Sequence, residues 1–241
     1  TLGYYTKFEK DATVPTLIFT PTIINDGRRL FISSQRLNFL TAHHGGPSRM
    51  ISSNENIEFH SLFDKQNADD IRFSSVMRSS ATFPFVMPMV NLPTTPQIQL
   101  MDAGIRDNLG GKTCVEFLHV MSGWIKENTS GVIILQIRDT KKMLADQSFK
   151  NPTFLDRLTL PLGNVYKNLL RVQDFDHEEL MKVSAQSMDF PIDLVSFNLR
   201  EHWEDRISLS WHLTKQEKDK IQKAFTSDEN KNAFKQLKLA L

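Results

Sequence analysis

The chain has 241 residues, of which 40% are hydrophobic and 24% are charged, and its formal net charge is +1. This composition is typical of a folded globular domain and excludes a chain that is disordered throughout. The small net charge gives no electrostatic basis for binding nucleic acid, and the single cysteine, Cys114, excludes an internal disulfide. Nothing in the composition divides the chain, so residues 1–241 are predicted to form one domain.

The N-terminal third predicts two strands, a turn, a loop and a helix. Leu17–Ile24 is an apolar, β-branched run between prolines and is typical of a buried strand. The turn residues Asn25-Asp26-Gly27 follow it, and Leu30–Ile32 is predicted to be a second strand. Residues 41–56 are rich in Gly, Ser and Asn and predict a loop. Ala68–Ser79 predicts a helix, which the prolines beyond it would end.

The remaining two thirds alternate predicted strands with predicted helices, which favours an α/β fold with a mainly parallel sheet. The first two of these strands are expected to be neighbours in one sheet, joined by the helix between them. The second is a Val/Ile/Leu run, which is typical of a strand covered on both faces. The strands are Gln97–Met101, Gly131–Ile137 and Ile192–Phe197, and the helices are Thr113–Lys126, Phe154–Leu170, His177–Gln186, Lys215–Phe225 and Asp228–Leu239.

The residue of greatest chemical interest, Asp102, directly follows the predicted strand Gln97–Met101. Parallel sheets place their chemistry at the carboxyl ends of strands, so a carboxylate there is a candidate site residue. Ala103 and Gly104 are small enough to leave space for a substrate, and a glycine permits a turn with φ > 0. An aspartate at the end of a strand also commonly caps a turn, and the spacing alone leaves both interpretations open.

Three segments in the same order resemble patatin-like phospholipases. Pro15–Phe31 resembles the strand–turn–strand that follows the nucleophile region of that family. Ser75–Val90 resembles its helix that ends in small residues and a proline-rich loop beside the active site. Met101–Leu109, with the sequence MDAGIRDNL, resembles its Asp-Gly-Gly or Asp-Gly-Ala block followed by Asp-Asn. The resemblance covers about 100 residues, from Val14 to Leu118, and residues 119–241 are expected to supply the remaining strands and the C-terminal helices.

The resemblance implies a patatin-like layered α/β fold and hydrolysis of a lipid acyl ester by a Ser–Asp dyad. Asp102 would be the catalytic base, Gly104 would shape its turn, and Asn108 would brace the loop. Phe83 and Phe85 lie in a strongly apolar loop, which would line either the core or a pocket for an acyl chain. No metal and no organic cofactor is implied.

Two features of the family are missing from this sequence. No Gly-x-Ser-x-Gly motif occurs, and neither does a glycine-rich oxyanion loop. The resemblance therefore predicts the C-terminal part of a patatin-like domain, truncated on its N-terminal side, with the serine upstream of Thr1. Because loss of the nucleophile alone can cost a factor on the order of 10⁶ in rate, the chain by itself is expected to be inactive.

Two other functions remain open at this stage. The first is a non-catalytic lipid-binding or degenerate patatin-like domain. The second is a nucleotide-binding loop at Gly110-Gly111-Lys112-Thr113, although Arg106 stands where the P-loop pattern needs a glycine. The expected partners are a lipid or acyl ester and not nucleic acid.

The lysine-rich C-terminal helices are expected to present solvated faces, and contact with a membrane surface is the alternative. Self-association is expected at an uncovered edge of the truncated sheet. The sequence assigns no compartment, and the cytoplasm and a membrane surface are the two locations that this function would fit.

Overall fold

The computed structural model describes residues 1–41, 55–82, 87–139, 172–200, 207–208 and 212–241. The predicted helix Phe154–Leu170 and most of the predicted loop at 41–56 lie outside these residues. The contacts divide the chain into two compact units. Unit 1 comprises Thr1–Met121 and Asn164–Lys182, and unit 2 comprises Ser122–Gly163 and Val183–Leu241. The single folding domain expected from the composition stays a prediction.

The described part of the chain is mixed α/β. The strands of unit 1 are β1 (Thr22–Ile23), β2 (Arg29–Phe31), β3 (Asn56–Glu58), β4 (Val90–Asn91) and β5 (Gln99–Met101). Its helices are α1 (Tyr5–Lys10), α2 (Asn38–Thr41), α3 (Phe59–Leu62), α4 (Phe73–Ser80) and α5 (Gly104–Asp107). Two longer helices, α6 (Gly111–Asn128) and α7 (residues 172–187), have residues in both units. Unit 2 contains β6 (Val132–Arg138), β7 (Ile192–Asn198), α8 (Lys215–Phe225) and α9 (Asp228–Ala240).

Among the described residues, the sheet of unit 1 has five strands in the order β3-β2-β1-β5-β4. Only β2 and β3 are parallel, and the other three pairs are antiparallel. The expectation of a mainly parallel sheet is therefore wrong for these strands, and the sheet is mixed. The predicted turn between β1 and β2 is confirmed, with Gly27 at a φ of 78°, which glycine adopts without steric cost.

The prediction that Gln97–Met101 and Gly131–Ile137 are neighbours in one sheet is also wrong. The first run forms β5, whose two edges are occupied by β1 and β4. The second run forms β6, which pairs in parallel with β7 in a separate two-stranded sheet. Both runs are strands as predicted, but the choice of partner depends on contacts far away in the sequence.

Two predicted elements are shorter than their apolar patterns suggest. Of Leu17–Ile24, only the last part forms β1, while Phe19 makes an isolated antiparallel bridge to Ile32. The predicted helix Ala68–Ser79 is split into a 3₁₀ turn at Ala68–Asp70 and α4. The split follows from the extended backbone of Arg72, which has φ −66° and ψ 129° and precedes α4 as its N-cap.

Strand β2 is the centre of unit 1, because all three of its residues are buried. Leu30 belongs to a large apolar cluster with residues of α3 and α4, including Phe59 and Val76. Phe31 points to the opposite face, as alternation along a strand requires, and packs in a second cluster against Phe117 and other residues of α6. The strand is thus covered by helices on both faces.

Unit 2 is built on the parallel pair β6–β7, and α9 packs against it. Val195 and Phe197 on β7 form a buried cluster with Ala233 on α9. The expectation that β6 is covered on both faces is wrong, because Leu135 and Ile137 are 53% and 66% exposed. An unbroken apolar run thus does not establish that a strand is buried.

Candidate functional site

Asp102 immediately follows the last residue of β5, where the sequence places it, and the backbone around it is held from two sides. The Asp102 N–H donates to the Thr82 carbonyl at 3.1 Å, and the Ala103 N–H donates to the Ser80 carbonyl at 3.2 Å. The Thr22 hydroxyl of β1 donates to the Asp102 carbonyl at 3.0 Å. The position of this carboxylate is therefore defined by β1, β5 and the chain at the end of α4.

The carboxylate of Asp102 is partly buried and lightly hydrogen-bonded. Its Oδ1 accepts the Gly104 N–H at 2.7 Å, and no other hydrogen bond to the carboxylate is found among the described residues. Burial raises the pKa of Asp102 above its ordinary value, and the Gly104 hydrogen bond only partly offsets this effect. A carboxylate of raised pKa is a stronger base than a free aspartate, which suits it to accept a proton.

The backbone of the Asp-Ala-Gly block differs from the predicted turn. Ala103 has φ −60° and ψ −29°, which any L-residue adopts without strain. Gly104 is the first residue of α5 and is not among the glycines with positive φ, so the expectation that it provides a φ > 0 turn is wrong. What Gly104 contributes is its N–H, which binds the Asp102 carboxylate.

The structure says less about the roles of the other predicted site residues. Asn108 follows α5, and its side-chain amide donates to Asp174 Oδ1 on α7 at 3.4 Å in an exposed position. This contact ties the end of α5 to α7, and a role of Asn108 in bracing the Asp102 loop stays a prediction. Phe83 and Phe85 lie outside the described residues.

The second aspartate of the block, Asp107, has an entirely different environment. Its side chain is completely buried. Its oxygens accept the main-chain N–H groups of Lys112 and Thr113 at 3.1 and 2.8 Å and the Thr113 hydroxyl at 2.6 Å. It also forms an ion pair with the completely buried Arg29 at 3.4 Å. Since these bonds occupy both oxygens, Asp107 anchors the N-terminus of α6 and is not available as a base.

Arg29 links this cluster to the sheet. Its second terminal nitrogen donates to Glu116 Oε1 at 2.6 Å, and the other oxygen of Glu116 accepts from Asn56 of β3 at 3.2 Å. His177 Nδ1 lies 3.4 Å from Asp107 Oδ1, but its orientation does not make a hydrogen bond. Sequence reasoning missed the whole cluster. The local signal for it was an aspartate followed by a glycine-rich helix start, where main-chain N–H groups favour an anion.

The possible phosphate-binding loop has the fold that a glycine-rich helix start requires, since Gly110 has a φ of 68° and α6 begins at Gly111. Its functional side chains are already engaged, however. The Lys112 ammonium is paired with Glu55, which also binds Arg106, and the Thr113 hydroxyl is bound to Asp107. The lysine and the hydroxyl that would hold phosphate and Mg²⁺ thus stabilise the structure instead.

A buried hydroxyl at the end of α4 was also missed. Ser79 and Thr82 donate their hydroxyls to the carbonyls of Val76 and Arg78 in α4, at 2.7 and 2.6 Å. The hydroxyl oxygen of Ser80, by contrast, is buried and has no hydrogen-bond partner among the described residues. An unpaired buried polar atom costs about 1–3 kcal/mol, and this one belongs to the residue whose carbonyl holds Ala103.

A separate polar cluster surrounds His60 at the start of α3. Its Nδ1 lies 2.8 Å from Glu58 and its Nε2 lies 3.0 Å from Asp69. Ser61 donates its main-chain N–H to Glu58 at 2.8 Å, so that Glu58 caps α3. Burial would raise the pKa of Glu58, but the hydrogen bonds from His60 and Ser61 together outweigh it and hold that pKa below its ordinary value.

Comparisons with known proteins identify no family for this chain, because no family model, no curated protein and no solved structure matches it. Within the part of the chain that the structure describes, no group of three or more His, Cys, Asp or Glu side chains is arranged to hold a metal ion. None of the described helices has the length and apolar character needed to cross a membrane.

Proposed function

We propose that Asp102 is the general base of an acyl-ester hydrolase of the patatin-like type, whose serine nucleophile lies upstream of this chain. The substrate class is a lipid acyl ester. The observation that carries the proposal is the carboxylate itself, which directly follows β5, is partly buried, has a raised pKa and accepts a hydrogen bond only from Gly104 among the described residues.

The chemistry requires a base of this kind. A serine hydroxyl is a poor nucleophile at neutral pH, and Asp102 would take its proton as the oxygen attacks the ester carbonyl carbon. The protonated Asp102 would then return the proton to the leaving alcohol oxygen as the ester C–O bond breaks, which leaves an acyl-serine. In the second half, Asp102 would deprotonate a water molecule that attacks the acyl carbonyl carbon. The bond between that carbon and the serine oxygen would then break, the proton would return to the serine oxygen, and the fatty acid would leave.

The contrast with Asp107 supports the choice of Asp102. Both aspartates belong to the block that resembles the family, and both are buried at least in part. Asp107 is committed to Arg29, Lys112 and Thr113, so a proton on it would disrupt the start of α6. The Asp102 carboxylate accepts one main-chain N–H, that of Gly104, and the bonds made by the Asp102 and Ala103 N–H groups do not involve it.

One observation favours a second candidate, a non-catalytic patatin-like domain. The bond from the Gly104 N–H to Asp102 Oδ1 is the geometry of an aspartate that caps a turn two residues ahead. The same geometry occurs at Asp26, whose Oδ1 accepts the Arg28 N–H at 3.0 Å in an exposed turn. Turn capping alone would account for Asp102 without any catalytic role.

Asp26 therefore provides a matched control. In the full-length protein, Asp102→Asn and Asp26→Asn are compared for turnover of a short-chain nitrophenyl ester and for thermal melting. Asparagine can still accept the turn hydrogen bond, but it cannot accept a proton at neutral pH. Asp102→Asn is expected to reduce kcat by about 10²- to 10⁴-fold with its fold intact, and Asp26→Asn is expected to leave kcat unchanged. Full turnover in Asp102→Asn would exclude the catalytic assignment and would leave turn capping as the role of Asp102.

A further inference from the structure

The outward-facing side of α9 combines positive charge with exposed apolar groups. The opposite side of this helix is fixed to β7, since Ala233 and Leu237 pack in the cluster of Val195 and Phe197. Asn230 is completely buried beside them. Because this side packs against the sheet, the opposite side of α9 faces outward.

Asn230 sets this orientation through three hydrogen bonds. Its side-chain amide donates to the carbonyls of Asn198 and Ala224, both at 2.8 Å, and its Oδ1 accepts the Asn198 N–H at 2.9 Å. These bonds tie the first turn of α9 to the end of β7 and to the last turn of α8. The helix therefore cannot rotate about its axis without breaking buried hydrogen bonds.

Three lysines lie on the outward side. Lys231, Lys235 and Lys238 are spaced i, i+4 and i+7, so they form one stripe along the helix, and all three are exposed. Leu239 lies on the same side and is 88% exposed. No acidic residue occurs between Lys231 and the last residue, Leu241, and the contact of Lys231 with Asp228 is exposed and therefore weak.

Two aromatic rings border this stripe. Phe234 is 48% exposed although its ring lies 4.8 Å from that of Phe197, and Phe225 at the end of α8 is 41% exposed. The rings of Phe225 and Phe234 are 6.5 Å apart. The surface thus presents lysine ammonium groups with a leucine among them and phenylalanine rings beside them.

We infer that this surface of Lys231, Phe234, Lys235, Lys238 and Leu239 docks onto an anionic lipid bilayer. The lysines would contact the negatively charged headgroups, and Leu239 and Phe234 would enter the boundary between headgroups and acyl chains. A lipid surface is favoured over nucleic acid because the phosphate backbone offers no apolar layer for the exposed Leu239 and Phe234. The inference goes beyond the proposed function, since vesicle binding requires no ester hydrolysis.

Co-sedimentation of the full chain with vesicles tests this inference. One set of vesicles is pure phosphatidylcholine, and the other contains a third phosphatidylserine. The chain is expected to bind the anionic vesicles at low salt, more weakly at high salt, and the neutral vesicles only weakly. The triple variant K231E/K235E/K238E is expected to lose on the order of 100-fold in affinity, since each lysine near the surface contributes about fivefold.

The control variant K7E/K10E/K65E makes the same change in charge at exposed lysines of unit 1, and it is expected to retain at least ten times the affinity of the α9 variant. Leu239→Ser is expected to reduce the fraction that stays bound at high salt. The altered side chains are exposed, so the melting temperatures should stay close to that of the unsubstituted chain. Equal loss in both triple variants, full binding by the α9 variant, or no preference for anionic vesicles would overturn the inference, whatever the outcome for Asp102.

Discussion

Arg29 donates to Asp107 across 78 positions of sequence, and both side chains are completely buried. The guanidinium also reaches Glu116 and lies 5.3 Å from the centre of the Phe31 ring. This pair joins the central strand of unit 1 to the N-terminus of α6, and it makes Asp107 a structural residue. The carboxylate of Asp102, five residues earlier, forms no ion pair with the described residues and accepts only the Gly104 N–H from them.

Asp107→Asn is expected to destabilise the protein strongly. The substitution leaves the buried guanidinium of Arg29 with Glu116 as its remaining carboxylate, and breaking a buried pair on one side costs about 3–5 kcal/mol. Asp26→Asn removes the exposed pair with Arg28 and should cost less than about 1 kcal/mol. Urea denaturation gives both values, and equal costs would show that the Arg29–Asp107 pair is dispensable.

The stability of Asp102→Asn is expected to depend on pH in a defined direction. Because the folded-state pKa of Asp102 is raised, its carboxylate destabilises the fold above that pKa, and the effect disappears below the ordinary value of 3.8, where Asp102 is protonated in both states. The variant should therefore melt at the same temperature as the unsubstituted protein at low pH and higher at pH 7. If the variant melts lower at pH 7, the carboxylate mainly serves the turn.

Ser80→Ala is expected to stabilise the protein by about 1 kcal/mol, because it removes a buried hydroxyl that has no partner in the part of the chain that the structure describes. Ser79→Ala is the matched control in the same turn of α4. It removes a hydrogen bond to the Val76 carbonyl, so any gain in helix propensity is offset. The two unfolding free energies are compared in one denaturant series. A loss of stability in Ser80→Ala would mean that its hydroxyl has a partner in solution.

Glu58→Gln is expected to destabilise the protein at neutral pH and much less in acid. Since hydrogen bonds hold the folded-state pKa of Glu58 below its ordinary value of 4.5, the stability that it contributes is present above 4.5 and is lost as the pH falls through the lowered pKa. The neutral-pH cost should be about 1–3 kcal/mol, typical of hydrogen bonds to a charged group. Melting curves between pH 3 and 7 test this, and a cost independent of pH would contradict it.

Much of the local structure follows from residues close together in the sequence. The turn at Gly27 forms because glycine tolerates positive φ. Helix α8 covers Lys215–Phe225 as predicted, with a capping box in which Thr214 and Glu217 bond to each other's main-chain N–H groups. The predicted strand that leads to Asp102 also forms, although its first two residues lie outside β5. These features depend on backbone preferences and on hydrogen bonds across a few residues.

Contacts between distant parts of the chain decide the rest. The residues of β5 and β6 do not by themselves show which strands they pair with. In the fold, β5 and β6 belong to separate sheets. Residues of the same type at positions 102 and 107 differ because only one of them meets Arg29. Sequence alone identified Asp102 as the residue of interest, but its raised pKa arises from burial in the folded chain. Burial and pairing are properties of three-dimensional packing, which a pattern of neighbouring residues does not contain.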